Sequence, residues 1–227
     1  LKEISLDGYE ADDVLATLAE HFKQDYDIVF VTIDKDYAQL VDDNAVIYDP
    51  MKNITLDKEA IYKKYGILPE QFVDFLALAG DPSDNIPGVR GIGEVTAVKL
   101  LKQYSNLDEI YAHLDEIPEK LRIKLIEGKD NAYLSRQLAT IIRDVPIEIP
   151  PLEALKFNTE SLHKAKDFLT RYEINTLKRL IDNRYGQKIS NSIPSEEPDK
   201  FVQGDIFESE NIVYSRMEDK KFRAILA

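Results

Sequence analysis

The sequence predicts an α/β segment followed by an all-helical region. A continuous run of β-branched and aromatic residues at 28–33 marks a strand buried on both faces of a parallel sheet. An apolar stripe at helical spacing precedes it, and from residue 57 to residue 180 the pattern is helical almost throughout.

Residues 4–6 form a short strand candidate, and residues 11 to about 23 a helix. Val14, Leu15, Leu18, Ala19 and Phe22 make the apolar stripe of that helix. Residues 45–48 give another short strand. Pro69 opens and Gly80 closes a clear helix, by the usual asymmetry of first-turn proline and terminal glycine. Ser105 to Asp108 reads as a capping-box-like start to the next apolar run, and Gly128 ends a helix that begins near Glu119. Residues 157–181 hold a last amphipathic helix, with Leu162, Phe168, Leu169 and Leu177 among its apolar positions. Residues 182–210 are rich in Asn, Ser, Glu, Pro and Asp and read as a linker. Residues 211–227 regain apolar character and look like the start of a following domain. The expected division is therefore 1–80, 81–181, 182–210 and 211–227.

A chain of 227 residues with 44% hydrophobic composition can bury a sizeable core in one or two domains. It has no cysteine, which excludes disulfides and thiolate metal sites and fits a reducing compartment. No apolar run approaches bilayer length, so no membrane partner is expected. The chain opens on Leu1, already strand-like, and an upstream part is expected to precede it. The net charge of −13, taken whole, argues against nucleic acid. But the acidic excess lies at both ends, and the middle is locally basic. Carboxylates that bind divalent cations also invert their own field.

Three acidic groups stand at element boundaries: Glu10, Asp12 and Asp13; Asp34 and Asp36; Asp81 and Asp84. The first lies where a strand candidate meets a helix. The second lies just past the carboxyl end of the buried strand, the edge where ligands bind in open α/β sheets. The third follows the helix closed by Gly80. Gathered in one place they would repel one another unless cations neutralised them. Magnesium suits such oxygen ligands, and two ions roughly 4 Å apart can clamp both oxygens of a phosphodiester displacement. Each group alone also has a plainer reading. Asp12 and Asp13 suit a first helical turn, and the others suit turns and loops.

Residues 85–97 run from the third acidic group into a helix through Gly88, Gly91 and Gly93. Backbone N–H groups at that helix start can hold a phosphate, and glycines let a nucleic-acid backbone approach closely. Arg90, Thr96, Lys99 and Lys102 complete the candidate DNA-binding set. A dinucleotide site is excluded by context, since no strand precedes the glycines. Lys120, Arg122, Lys124, Lys129, Arg136 and Arg143 could extend a phosphate track, about half of them being merely solvated. His21, His113 and His163 are scattered, and no nucleophile–base set for covalent catalysis is available.

The stretches Gly8-Tyr-Glu-Ala-Asp-Asp13, Thr32-Ile-Asp-Lys-Asp36 and Gly80-Asp-Pro-Ser-Asp-Asn-Ile-Pro-Gly-Val-Arg-Gly-Ile-Gly93 resemble the 5′→3′ exonuclease domain of bacterial DNA polymerase I, a relative of the flap endonucleases. The resemblance covers roughly residues 1–180. It implies a PIN-like nuclease core, partial here, followed by a helix–hairpin–helix region that grips duplex DNA. It implies that Glu10, Asp12, Asp13, Asp34, Asp36, Asp81 and Asp84 are catalytic and serve two Mg2+ ions, which Mn2+ can replace. It also implies K+ at the glycine hairpin. The implied substrate is DNA with a 5′ flap, nick or primer end. The implied setting is a monomeric bacterial cytoplasmic protein, nucleoid-associated and continuous with downstream polymerase domains.

This sequence departs from that pattern in two ways. The family's first strand and basic arch are expected upstream of Leu1, which makes this stretch alone a weak or inactive nuclease. Val95 stands where the family commonly has lysine. A PIN-type ribonuclease and a non-catalytic duplex DNA-binding module are the rival readings.

Overall fold

The computed structural model describes residues 3–156, 159–185 and 222–226. The chain divides into two units, one of Asp7–Val145 with Gly204–Ala227, the other of Leu1–Leu6 with Pro146–Gln203.

The larger unit opens with helix α1 (Ala11–Phe22), which buries Val14, Leu18, Ala19 and Phe22 from its predicted stripe. Strand β1 (Asp27–Val31) follows, then a 3-10 turn at Asp36–Leu40, β2 (Ala45–Asp49) and β3 (Ile54–Leu56). β1 pairs in parallel with β2, in the register Ile28 to Ala45 and Val31 to Tyr48, and β3 returns antiparallel along β2. Ile28 and Phe30 are fully buried, as the unbroken apolar run required. The strand stops at Val31, short of the expected end, and Ile33 is 70% exposed.

Helices α2 (Lys58–Tyr65) and α3 (Phe72–Ala79) continue the unit, α2 capped by the Asp57 side chain and α3 preceded by a 3-10 turn at Pro69–Gln71. Then come α4 (Glu94–Tyr104), α5 (Leu107–Ala112), α6 (Glu119–Glu127) and α7 (Lys129–Ala139). α3 is the hub, packing on both α4 and α7. Its buried Asp74 accepts from the Leu107 N–H at 3.0 Å and pairs with Arg136 at 3.1 Å. The cap of α5 falls one residue beyond the expected start: Asn106 accepts from the Glu109 N–H, while Ser105 closes α4 with φ 69°. Residues 139–145 strap back across the α/β part. Gln39 grips Ala139 and Ile141, Asp13 receives the Ile142 N–H, and Thr17 receives the Val145 N–H.

Two expectations for the chain ends change. Residues 4–6 form no strand, and the place beside β1 is taken by β4 (Phe222–Leu226), paired in parallel. A strand needs a partner ladder, and β4 supplies one to the edge of β1. That segment was expected to open a further domain. Residues 186–221, including most of the expected linker, lie outside the described residues.

The smaller unit holds α8 (Leu152–Leu155), α9 (Thr159–Arg171) and α10 (Asn175–Tyr185). One expected helix is thus a helical hairpin. The break comes at Glu173, with φ 56°, and the Ile174 N–H closes the turn onto the Leu169 carbonyl at 2.9 Å.

Between α3 and α4 the backbone doubles back tightly. Asp81 and Ile86 exchange two N–H to carbonyl bonds of 2.9 Å. Gly80 and Gly88, with φ of +73° and +60°, lie against each other there. A Cβ on Gly88 would stand 2.4 Å from the Gly80 nitrogen, whereas one on Gly93 would meet nothing within 4 Å. Gly88→Ala is therefore expected to lower the unfolding free energy by at least about 1–3 kcal/mol, the cost of overpacking. Gly93→Ala should cost about 1 kcal/mol or less, through its cap position alone. Urea denaturation of the two variants side by side tests the difference.

Candidate metal centre

The tight turn after Gly80 carries Asp81 and Asp84 back to the 3-10 turn that begins at Asp36. Carboxylate oxygens of Asp36, Asp81 and Asp84 all lie within 4.8 Å of one another. Asp36 stands past the carboxyl end of β1, the edge where a parallel sheet presents its ligands. Asp34 shapes this corner, since its Oδ1 accepts the Asp36 N–H at 2.9 Å. Asp81 is 4% exposed, and its Oδ1 accepts from both the N–H and the hydroxyl of Ser83, at 3.0 and 2.6 Å.

The electrostatics follow from burial and crowding. Burial, then the charges of Asp34 and Asp84, push the Asp36 carboxyl up to about 6. Burial also pushes Asp81 upward, but hydrogen bonds from the Lys35 ammonium and Ser83 prevail and hold it down at about 2. Asp84 is raised, by desolvation and by Asp81 beside it. Lys35 pairs with Asp81 Oδ2. Asp36 Oδ1 is buried without a hydrogen-bond partner, whereas Asp81 Oδ2 has the Lys35 ammonium. Three crowded carboxylates, one with a buried oxygen left unserved, fit a hard divalent cation.

The first acidic group is placed differently. Asp12 accepts the Tyr37 hydroxyl at 2.7 Å. Asp13 accepts the Glu10 N–H at the head of α1 and, through its other oxygen, the Ile142 N–H at 2.8 Å. Glu10, Asp12, Asp13 and Asp34, all expected as ligands, are not among the three gathered carboxylates.

The hairpin residues also divide. Gly88 is buried, donates its N–H to the Ser135 hydroxyl at 2.9 Å and packs on Gly80, so it shapes the turn rather than facing a partner. Gly91 and Gly93 are exposed, and Gly93 caps α4. The Gly91 carbonyl accepts the Lys124 ammonium at 3.0 Å. Lys99 and Lys102 line a groove of about 410 Å³ with Lys64, Tyr65, Phe75, Glu94, Val95 and Val98. Lys64 lies over the Tyr65 ring and Lys102 over the Tyr62 ring, at 4.7 and 5.4 Å from the centroids. Lys64 and Tyr65 also line a smaller hollow together with Thr32, Ile33, Asp34 and Lys35.

Several cations of the expected phosphate track are engaged internally. Arg136 bridges Asp74 and Asp108, and Arg143 binds the Gln39 carbonyl and Glu20. Lys124 serves Gly91. Lys35, Ser83, Tyr37 and Lys64 are the site residues that sequence reasoning missed. Lys35 was signalled only by its place between two candidate ligands.

Sheet, carboxylate corner and hairpin together define an α/β protein built to hold a hard cation beside a helix–hairpin–helix. Comparison with known proteins agrees. Residues 1–66 match the 5′-3′ exonuclease N-terminal resolvase-like domain, and residues 67–163 its C-terminal SAM fold. The chain belongs to the 5′-3′ exonuclease family. It is 38% identical over 200 residues to the thermostable DNA polymerase I of Thermus thermophilus, covering 88% of this chain and 24% of that one. It is 36% identical over 193 residues to a 5′-3′ exonuclease of Bacillus subtilis, covering 83% of this chain and 64% of that one. The chain thus spans less than two thirds of either relative. Among solved structures, T5 5′-exonuclease with bound zinc ions superimposes with a TM-score of 0.53 and 25% identity, covering 59% of this chain and 51% of that one. Among the described residues no helix is long and apolar enough to cross a membrane.

The raised Asp36 carboxyl sets a pH dependence. Its folded value of about 6 lies above the ordinary 3.8, so the folded state holds the proton more tightly and ionisation opposes folding. In EDTA, the melting temperature is expected to fall as pH rises from about 4 through 6. Asp36→Asn should flatten that fall. An equally steep fall in the variant, measured by thermal melts across this range, would contradict the assignment.

Proposed function

We propose that this chain is the metal-binding and DNA-gripping part of a 5′→3′ exonuclease and 5′-flap endonuclease that acts within a DNA polymerase I. The proposed metal is Mg2+, as two ions that Mn2+ can replace. The carrying observation is the meeting of Asp36, Asp81 and Asp84 at the carboxyl edge of the sheet, with a buried oxygen of Asp36 left unserved. Bound divalent cations would supply Lewis acidity to the phosphodiester and lower the pKa of a water. Asp36, Asp81 and Asp84 would hold the first cation. Asp34 and Asp12, at the margin of the corner, would reach a second. Asp13 and Glu10 fix the head of the helix that carries Asp12, and Tyr37 orients the Asp12 carboxylate.

The hairpin supports a duplex DNA partner. α4 begins at an exposed glycine with open space around it, where backbone N–H groups can meet a phosphate. Arg90, Gly91, Gly93, Thr96, Lys99 and Lys102 would follow one strand's backbone, and Lys64 would extend the path towards the carboxylates. Among the described residues no ion pair engages Lys64, Lys99 or Lys102, which leaves their charge for phosphates. Val95 offers an apolar, 72% exposed surface where the resemblance leads one to expect a lysine. A potassium ion at the hairpin would use carbonyls other than that of Gly91, which already receives Lys124.

Two measurements test this reading. With Mg2+ and a 5′-labelled flap duplex, this stretch alone is expected to release the flap weakly or not at all, and whatever release occurs should fall by about a hundredfold with Asp36→Ala. Preferential cleavage of single-stranded RNA would instead favour a ribonuclease. In fluorescence anisotropy without divalent metal, Lys64→Ala and Lys102→Ala should each reduce the slope of log K against log salt by about 1. Unchanged slopes would remove those lysines from the DNA path.

A further inference from the structure

The carboxylate corner already contains a cation of the chain's own. Lys35 sits between Asp34 and Asp36 at the start of the 3-10 turn, and its ammonium is paired with Asp81 Oδ2. That oxygen is buried, and among the described residues no other ammonium or guanidinium pairs with Asp34, Asp36, Asp81 or Asp84. The pairing is built by the fold, because the tight turn after Gly80 brings Asp81 to a residue far away in sequence. The side chain of Lys35 remains 40% exposed, so its long stem can swing outwards without unpacking the core.

From this geometry we infer that Lys35 is a resident counter-ion, which holds the corner together without metal and which an incoming divalent cation must displace from Asp81. The inference rests on the metal-centre reading above. One carboxylate oxygen cannot give its full strength to an ammonium and to a metal ion at once, so the two compete. Competition of this kind is reciprocal. The ammonium weakens the apparent metal affinity by the same factor by which metal loosens the ammonium. The benefit is a buried carboxylate that is never left wholly unpaired. The displaced ammonium stays tethered at the mouth of the site, beside the hollow shared with Lys64, where a substrate phosphate can receive it.

Mn2+ titration by calorimetry tests this in the wild type, Lys35→Gln and Lys35→Arg. Lys35→Gln is expected to bind Mn2+ roughly fivefold or more tightly than the wild type. Lys35→Arg keeps the charge and should stay close to the wild type. In EDTA, Lys35→Gln should melt below the wild type, and saturating Mn2+ should raise its melting temperature by more. Equal or weaker Mn2+ binding by Lys35→Gln, with a wild-type circular dichroism spectrum, would overturn the displacement and leave the metal centre standing. Absence of Mn2+ heat in the wild type itself would overturn both.

Discussion

The backbone contact between Gly80 and Gly88 is the constraint on which both halves of the site depend. Neither position has room for a side chain, and both take left-handed φ values. Their contact closes the Asp81–Ile86 bridge, and that bridge turns two carboxylates towards the end of β1. The same contact sets the direction in which residues 89–93 leave the turn, and so the start of α4. Cation site and hairpin are consequently one structural unit. A shift in this turn would move Asp81 away from Asp36 and, with it, the α4 wall of the groove away from its α2 wall. Ser135 adds a lock from α7, through its buried hydroxyl on the Gly88 N–H.

The carboxylates themselves are an energetic liability that the fold tolerates by unequal treatment. Asp81, the most buried, receives an ammonium and two bonds from Ser83, and remains ionised far into acid. Asp36 receives no cation of its own and is the group whose ionisation the neighbours oppose. Titratable groups pushed apart by burial and a specific charge partner are a common feature of functional centres. Asp74 shows the structural alternative in the same molecule. It too is buried, but Arg136 and the Leu107 N–H serve it, tying α3 to α7 and α5.

Much of this was legible in the sequence, and the boundary between legible and not is physical. β1 and α1 declared themselves because burial imposes a regular pattern on long enough runs. Asp36, Asp81 and Asp84 were legible from their positions at element ends. β3 was not, since three residues, two of them exposed, carry no period. The α9–α10 break was hidden because a glutamate, not a glycine, takes the left-handed position. The role of Asp13 was hidden by distance, its partner Ile142 lying 129 residues away. Arg143 similarly spends its charge on a carbonyl 104 residues away. Counting basic residues along a chain cannot separate such internal cations from those left for a phosphate.

That separation also resolves the chain's charge. A net −13 would repel a polyanion if it were spread evenly. Here the field that matters is local, because surface charges farther than about 10 Å are largely screened in ordinary salt. Lys64, Lys99 and Lys102 stand together in one groove, with Tyr65 and Phe75 as part of its wall and Glu94 as the one acidic residue lining it. Lys64 and Lys102 lie over tyrosine rings of α2, so on the proposed reading less side-chain freedom would be lost on binding a phosphate. At the far end of the path, the carboxylate corner would present not its own charge but that of the cations it holds. On the proposed reading, an acidic protein would offer a nucleic-acid backbone a basic route along its groove and a negatively charged surface elsewhere, and the second would discourage binding in any other register.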